Sequence, residues 1–292
     1  MESRSNSTGF IAVALLASVS LCSAAGAKAQ IEAASPQELE VLNHLPGIAG
    51  DYFRYESDAV GRGYHIYVSL PQSYGKEPAR TYPVVYVLDG DSLFPIIAPT
   101  HLFLAFDYDL PEAVIVGIAY GSFEPPINRR GFDYTVVAAD KHPRHGGAAA
   151  FHAFLKDELA PTVAERYRVD TSRQVLFGQS RGGGMVLYSA FVDPDLFWGR
   201  IASNPTFEPG RELFFATPPA SSRDDLALVV TSGTDDRPIL RQRALEWFEH
   251  TAELENLPWS LYAISVAEGR HASFSPSSYR MGMLRLFDKQ AD

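Results

Sequence analysis

The 292-residue chain is 46% hydrophobic and 21% charged, a globular balance that excludes disorder as the main state and allows one large domain or two ordinary ones. Its 25 Lys and Arg against 35 Asp and Glu give a net charge of −10, the wrong sign for neutralising a phosphate backbone, and no local basic stripe offsets it, so nucleic-acid binding is excluded. The single cysteine excludes a disulfide scaffold, a CxxC redox site and a cysteine-rich zinc site.

Residues 1–9 are polar, Phe10–Leu21 is an almost unbroken apolar run, and Ala27-Lys28-Ala29 offers a small-residue cleavage site. This is the layout of a secretory signal peptide over residues 1–29, with Gln30 as the expected mature start and a periplasmic or secreted destination. The apolar run of about a dozen residues falls short of the ~20 that a spanning helix needs, and no other segment reaches that length, so no membrane span is expected. Cys22 as a lipid attachment site is disfavoured by Leu21, which stands where that signal wants a small residue.

Residues 30–50 read as a polar approach to one domain over 30–292. Tyr64–Leu70 then alternates apolar and polar positions, as a strand with one solvated face does. Tyr82–Leu88, Ala113–Ile118, Val175–Phe177, Arg200–Ser203, Leu226–Thr231 and Trp259–Val266 are short apolar runs, several stopped by Gly or Asp, as buried parallel strands are. Helical spacing covers Ala148–Tyr167, with a kink expected at Pro161, then Arg181–Val192, Ile239–Leu254 and Ser277–Lys289. Strands alternating with helices predict an α/β fold, a mostly parallel sheet with helices on both faces. Ligands of such sheets bind at the carboxyl ends of the strands, which directs attention to the residue just after each run.

After Val175–Phe177 stands Gly178-Gln179-Ser180-Arg181-Gly182, a G-x-S-x-G with a strand before it and a helix after it. The pattern alone is common by chance, and the strand–turn–helix context is what gives it meaning. A tight turn there lifts the Ser180 hydroxyl above the sheet edge, and glycines two before and two after relieve the crowding. The same turn aims the Arg181 N–H at a developing oxyanion.

A serine nucleophile needs a base, and the base needs orienting. Asp235 and Asp236 follow one strand end and His271 follows the next, in the order Ser, Asp, His of α/β hydrolases. Asp236 is favoured as the acid because it lies three residues past the glycine ending its strand. Asp235 is the alternative, and whichever is unused suits a cap for the helix near Pro238. The second oxyanion donor is expected in Asp89-Gly90-Asp91, where Gly90 permits a sharp turn that aims the Asp91 N–H, or its own, at the site. His142, His145 and His152 lack a carboxylate at ligand spacing, so no metal and no cofactor is expected.

The stretches YPVVYVLDG (82–90), NRRGFDYT (128–135), 146–170, GQSRGGG (178–184) and 269–287 resemble the esterase D and siderophore-esterase branch of the α/β hydrolases, which also holds mycolyl transferases. The resemblance implies an α/β-hydrolase fold, a Ser–His–acid or Ser–His hydrolase, and a site bordered by the Arg129–Thr135 loop. Two positions depart from the branch: Gln179 stands where members often carry His, and Arg181 where they carry an aromatic residue. Arg129, Gln179 and Asp89 are the substrate-binding candidates. Arg129, Arg130 and Arg181 together suit an acidic substrate, while a pair between Arg129 and Asp133 would merely fix the loop. The expected activity is hydrolysis of a small-molecule carboxylic ester. Amide or peptide hydrolysis, acyl transfer and a binding protein on an unused site remain as alternatives.

Overall fold

The structure is a computed structural model describing residues 50–137 and 143–288. The signal-peptide reading of residues 1–29, and His142, lie outside them. An eight-stranded sheet runs in the order β1-β2-β4-β3-β5-β6-β7-β8. Its strands are β1 (Gly50–Ser57), β2 (Arg62–Ser69), β3 (Tyr82–Val87), β4 (Val114–Ala119), β5 (Val169–Gln179), β6 (Gly199–Ser203), β7 (Ala227–Gly233) and β8 (Ser260–Val266). β2 is antiparallel to both β1 and β4, and every pairing from β4 across to β8 is parallel.

The helices are α1 (Gly90–Asp107), α2 (Arg130–Asp133), α3 (Ala148–Ala153), α4 (Ala160–Arg166), α5 (Arg181–Val192), α6 (Arg211–Phe214), α7 (Pro238–Ala252) and α8 (Ser275–Leu286). The period of two along each strand divides them between the faces. Val84 and Tyr86 of β3 pack with Phe151, Val163, Met185 and Trp247 from α3, α4, α5 and α7. Val85 and Val87 pack with Ile97 of α1 and Tyr279 and Met283 of α8. Helices on both faces are why the central runs are apolar throughout.

The sequence reading of 148–167 as one kinked helix is refined. A wide π turn at Phe154–Leu159 joins α3 to α4 just before Pro161, which has no N–H to donate into a regular turn. The single-turn helices α2 and α6 and two longer elements, β1 and α1, were not foreseen. β1 is an edge strand with half of its residues exposed, and Arg54 and Glu56 interrupt the Phe53 and Tyr55 that pack on the core, which weakens its hydrophobic signal. α1 contains Pro95 and Pro99 and exposes Ile96, Phe103 and Phe106, which blurs its period. Among the described residues no helix is long and apolar enough to cross a membrane.

His101 ties α1 to α8. Its Nε2 lies 3.1 Å from the Pro111 carbonyl, which only accepts, so that nitrogen carries the proton and Nδ1 accepts from the Tyr279 hydroxyl at 2.9 Å. Burial pushes its pKa down to about 4. The unfolded chain therefore binds a proton near pH 6.5 that the folded chain refuses until about pH 4. Stability is full above pH 6.5 and falls toward pH 4, by ~3 kcal/mol from this group. Urea unfolding at pH 7 and pH 4.5 checks this: His101→Gln flattens the fall, and an unchanged slope contradicts the assignment.

Candidate active site

Because β3 and β5–β8 run parallel, their carboxyl ends share one edge, and chain segments leaving them supply the site. Asp89 follows β3, Ser180 follows β5, Asn204 follows β6, Asp236 follows β7 and His271 follows β8. Ser180 sits at φ 59°, ψ −114°, a conformation that costs a non-glycine residue about 1–3 kcal/mol. The turn is held by its N–H to the Ser203 carbonyl at 2.9 Å and by its own carbonyl, which accepts from Gly184 and Thr206. A Cβ at Gly178 would collide with the Gly182 carbonyl, so the crowding expected from the motif is present.

Ser180 Oγ lies 2.9 Å from His271 Nε2, and His271 Nδ1 lies 3.0 Å and 3.2 Å from the two Asp236 oxygens. The Asp236 side chain is buried, whereas that of His271 is 22% exposed. A carboxylate beside Nδ1 fixes the tautomer with its proton on Nδ1, leaving the Nε2 lone pair for the serine hydroxyl. Of the two acid candidates, Asp236 faces His271. Asp235 accepts from the Thr234 hydroxyl instead, and its N–H donates to Gly269. The cap expected from the unused aspartate is not formed: α7 starts without a side-chain cap, and Asp236 accepts from the Arg237 N–H.

The loop after β3 differs in detail from expectation. Asp89, rather than Gly90, takes the left-handed turn, at φ 55°. Gly90 is required for close approach, because a Cβ there would lie 2.8 Å from the Ile118 nitrogen on β4. The Gly90 and Asp91 N–H groups open α1 and the Arg181 N–H opens α5, positions with no acceptor inside their own helices. The Asp91 carboxylate binds the N–H groups of Tyr120 and Gly121 at 2.7 Å and 2.8 Å, which anchors that loop to the end of β4.

Two substrate-binding candidates are committed within the protein. Asp89 receives a bidentate pair from Arg130, at 2.7 Å and 2.8 Å, and Arg130 also reaches the Gln179 carbonyl at 3.3 Å. The Gln179 side chain donates to the main-chain carbonyl of His271. The third, Arg129, stands over the Phe132 ring at 5.5 Å and borders two clefts. A pair between Arg129 and Asp133 would have fixed the loop, but Asp133 turns to Arg62 at 3.0 Å and to the hydroxyls of Tyr64 and Tyr120. Phe207 and Phe214, on the segment after β6, are buried against Trp247 and Phe191.

Asn204 was missed. Its Nδ2 donates to the His271 carbonyl at 3.1 Å, and its Oδ1 accepts from the Gly233 N–H at 3.0 Å, so it joins the loops carrying Asp236 and His271. The available signal was an Asn-Pro pair directly after a short apolar run. Asn204 is a positioning residue. Asn204→Asp keeps the contact to Gly233 and loses the donor to His271. We expect kcat to fall about tenfold with little change in KM, the size of one lost hydrogen bond. A matching rise in KM with unchanged kcat would contradict this role.

A family model described as "Putative esterase" matches residues 57–279. Ferri-bacillibactin esterase BesA of Bacillus subtilis is 35% identical over 161 residues, 50% of this chain and 54% of that protein. The siderophore triacetylfusarinine C esterase of Aspergillus fumigatus is 32% identical over 164 residues, 53% of this chain and 55% of that protein. These matches span about half the length of the curated relatives. The siderophore hydrolase EstB from Aspergillus nidulans superposes with a TM-score of 0.72 at 22% identity, covering 85% of this chain and 97% of that one. At that identity the likeness establishes the α/β-hydrolase fold.

Proposed function

The chain belongs to the Esterase family of the α/β hydrolases, and from that premise we propose that it cleaves carboxylic esters of small molecules through an acyl-enzyme on Ser180. The observation that carries this reading is the hydrogen-bonded relay from Ser180 Oγ through His271 to Asp236 at a strained strand–helix turn. Ser180 attacks the acyl carbon as His271 Nε2 takes its proton. The Arg181 N–H, with that of Asp91 or Gly90, holds the oxyanion. His271 returns the proton to the leaving alcohol, then draws one from water, which attacks the acyl-enzyme and releases the acid. Asp236 orients the imidazole and stabilises the imidazolium that forms.

The two curated relatives are named as esterases of ferri-bacillibactin and of triacetylfusarinine C, which makes siderophore esters the first natural panel to assay. The layout of residues 1–29 supports export to the periplasm or beyond, and N-terminal sequencing of the exported protein would find Gln30 first if that reading holds. For the chemistry, rapid mixing with an aryl ester should release a burst of phenol of about one equivalent per enzyme, followed by slower turnover. Matched anilides should react far more slowly. Faster turnover of the anilides would overturn the ester assignment in favour of amide hydrolysis.

A further inference from the structure

We propose that Arg130 is a positioning residue for the oxyanion: its guanidinium ties the turn after β3 to the turn after β5 and so sets the spacing of the N–H donors that the two turns carry. This deepens the esterase reading and rests on it. Arg130 lies on α2, distant from both turns in sequence. Its Nε and Nη2 donate to the two Asp89 oxygens at 2.7 Å and 2.8 Å, and Nη2 also reaches the Gln179 carbonyl at 3.3 Å. Asp89 immediately precedes Gly90 and Asp91, and Gln179 immediately precedes Ser180 and Arg181. Each donor N–H of the proposed mechanism therefore stands within two residues of a contact made by this one guanidinium.

The contact falls where the backbone needs holding. Asp89 and Ser180 both have positive φ, 55° and 59°, a conformation that persists in non-glycine residues when their neighbours over-determine it. The Asp89 N–H donates to the buried Tyr134 hydroxyl at 3.3 Å, and its carbonyl accepts from Ser92 and Leu93 as α1 begins. Asp91 fixes the far side of the turn to Tyr120 and Gly121 at the end of β4. On the side facing the nucleophile the Asp89 carboxylate presses on α5: a Cβ built on Gly182 would lie 3.1 Å from Asp89 Oδ2. Charge matters there as well as distance. An unpaired carboxylate against the first turn of α5 would oppose an oxyanion forming beside it. Arg130 supplies the opposite charge. Burial works against its cation, but Asp89 more than offsets this and raises its pKa. A planar fork fills both carboxylate oxygens and still reaches the Gln179 carbonyl, whereas a lysine keeps the charge and loses the fork.

Hydrolysis of p-nitrophenyl butyrate by the full chain tests this, with rates expressed per active site titrated to completion with a fluorophosphonate, so that misfolded protein drops out. Oxyanion donors act in the transition state. Arg130→Met should therefore lower kcat about 10–100-fold and leave KM within about twofold. Affinity for an aryl boronic acid, whose tetrahedral adduct on Ser180 carries the same negative charge, should fall in step with kcat. Arg130→Lys should lie between wild type and Arg130→Met, and it carries the test if Arg130→Met yields no titratable sites. Adding Asp89→Asn to Arg130→Met should recover part of kcat, because it removes the carboxylate left unpaired. A raised KM with unchanged kcat, or a lowered Tm with wild-type kcat per titrated site, overturns the positioning role and leaves the esterase reading standing. No turnover of any ester and no labelling of folded wild type overturns both.

Discussion

Ser180→Ala lowers kcat/KM for an aryl ester by about 10⁵-fold or more, while the protein keeps its far-ultraviolet spectrum and its Tm. The magnitude is that of removing a nucleophile from a triad that acts as a unit. The geometry explains why nothing else takes over. His271 Nε2 has Ser180 Oγ as its side-chain partner at 2.9 Å, and the other imidazole nitrogen is occupied by Asp236. Without the hydroxyl the remaining rate is that of a water held near two or three N–H donors. For the same reason Ser180→Ala combined with His271→Gln should cost little more than either alone. Additive losses in the double variant would mean that the two residues do not act in one proton transfer.

Gly178→Ala has the second-largest expected effect, on stability and activity together. The added methyl meets the Gly182 carbonyl, which is backbone in the first turn of α5 and has no rotamer to change. Nor can that turn retreat freely. A Cβ on Gly183 would already lie 2.9 Å from the Ser203 carbonyl, so α5 is seated directly on the end of β6. Either the turn opens or the helix shifts, and both move Ser180 away from His271. Overpacking against a rigid neighbour costs about 1–3 kcal/mol or more. A displacement near 1 Å at the nucleophile costs on the order of 10²-fold in rate. Urea unfolding and kcat/KM measured on one preparation test both halves. A variant with wild-type midpoint and wild-type rate would show that the turn is not as tightly built as described.

The order of the candidate residues Ser180, Asp236 and His271 was legible because each follows an apolar run. Ser180 and Asp236 stand at the buried ends of β5 and β7, where a strand announces itself by being apolar on both faces, and His271 follows the partly exposed edge strand β8. What escaped notice has a physical reason in each case. β1 lies at the sheet edge with half of its residues exposed, so charged residues interrupt its hydrophobic signature. α1 carries two prolines that normally punctuate helices. Arg200 sits in a buried strand, where sequence logic wants an apolar residue. Its guanidinium instead donates to the carbonyls of Ser189, Asp193, Pro194 and Phe197, closing the end of α5. Such main-chain acceptors leave no trace in residue identity. The same holds for Gln179 and Asn204, whose shared partner is the backbone of His271, and for the arginine partners of Asp89 and Asp133. The long-range pairing of charges was the least legible part of the site, because several arginines compete for few carboxylates and only the folded geometry decides among them.

The most direct test of an activated serine is labelling of the purified protein with a fluorophosphonate, wild type beside Ser180→Ala, with the modified residue mapped by mass spectrometry. Wild type should be labelled stoichiometrically at Ser180, and the variant not at all. Folded wild type that stays unlabelled, or that is labelled elsewhere, would contradict an activated Ser180.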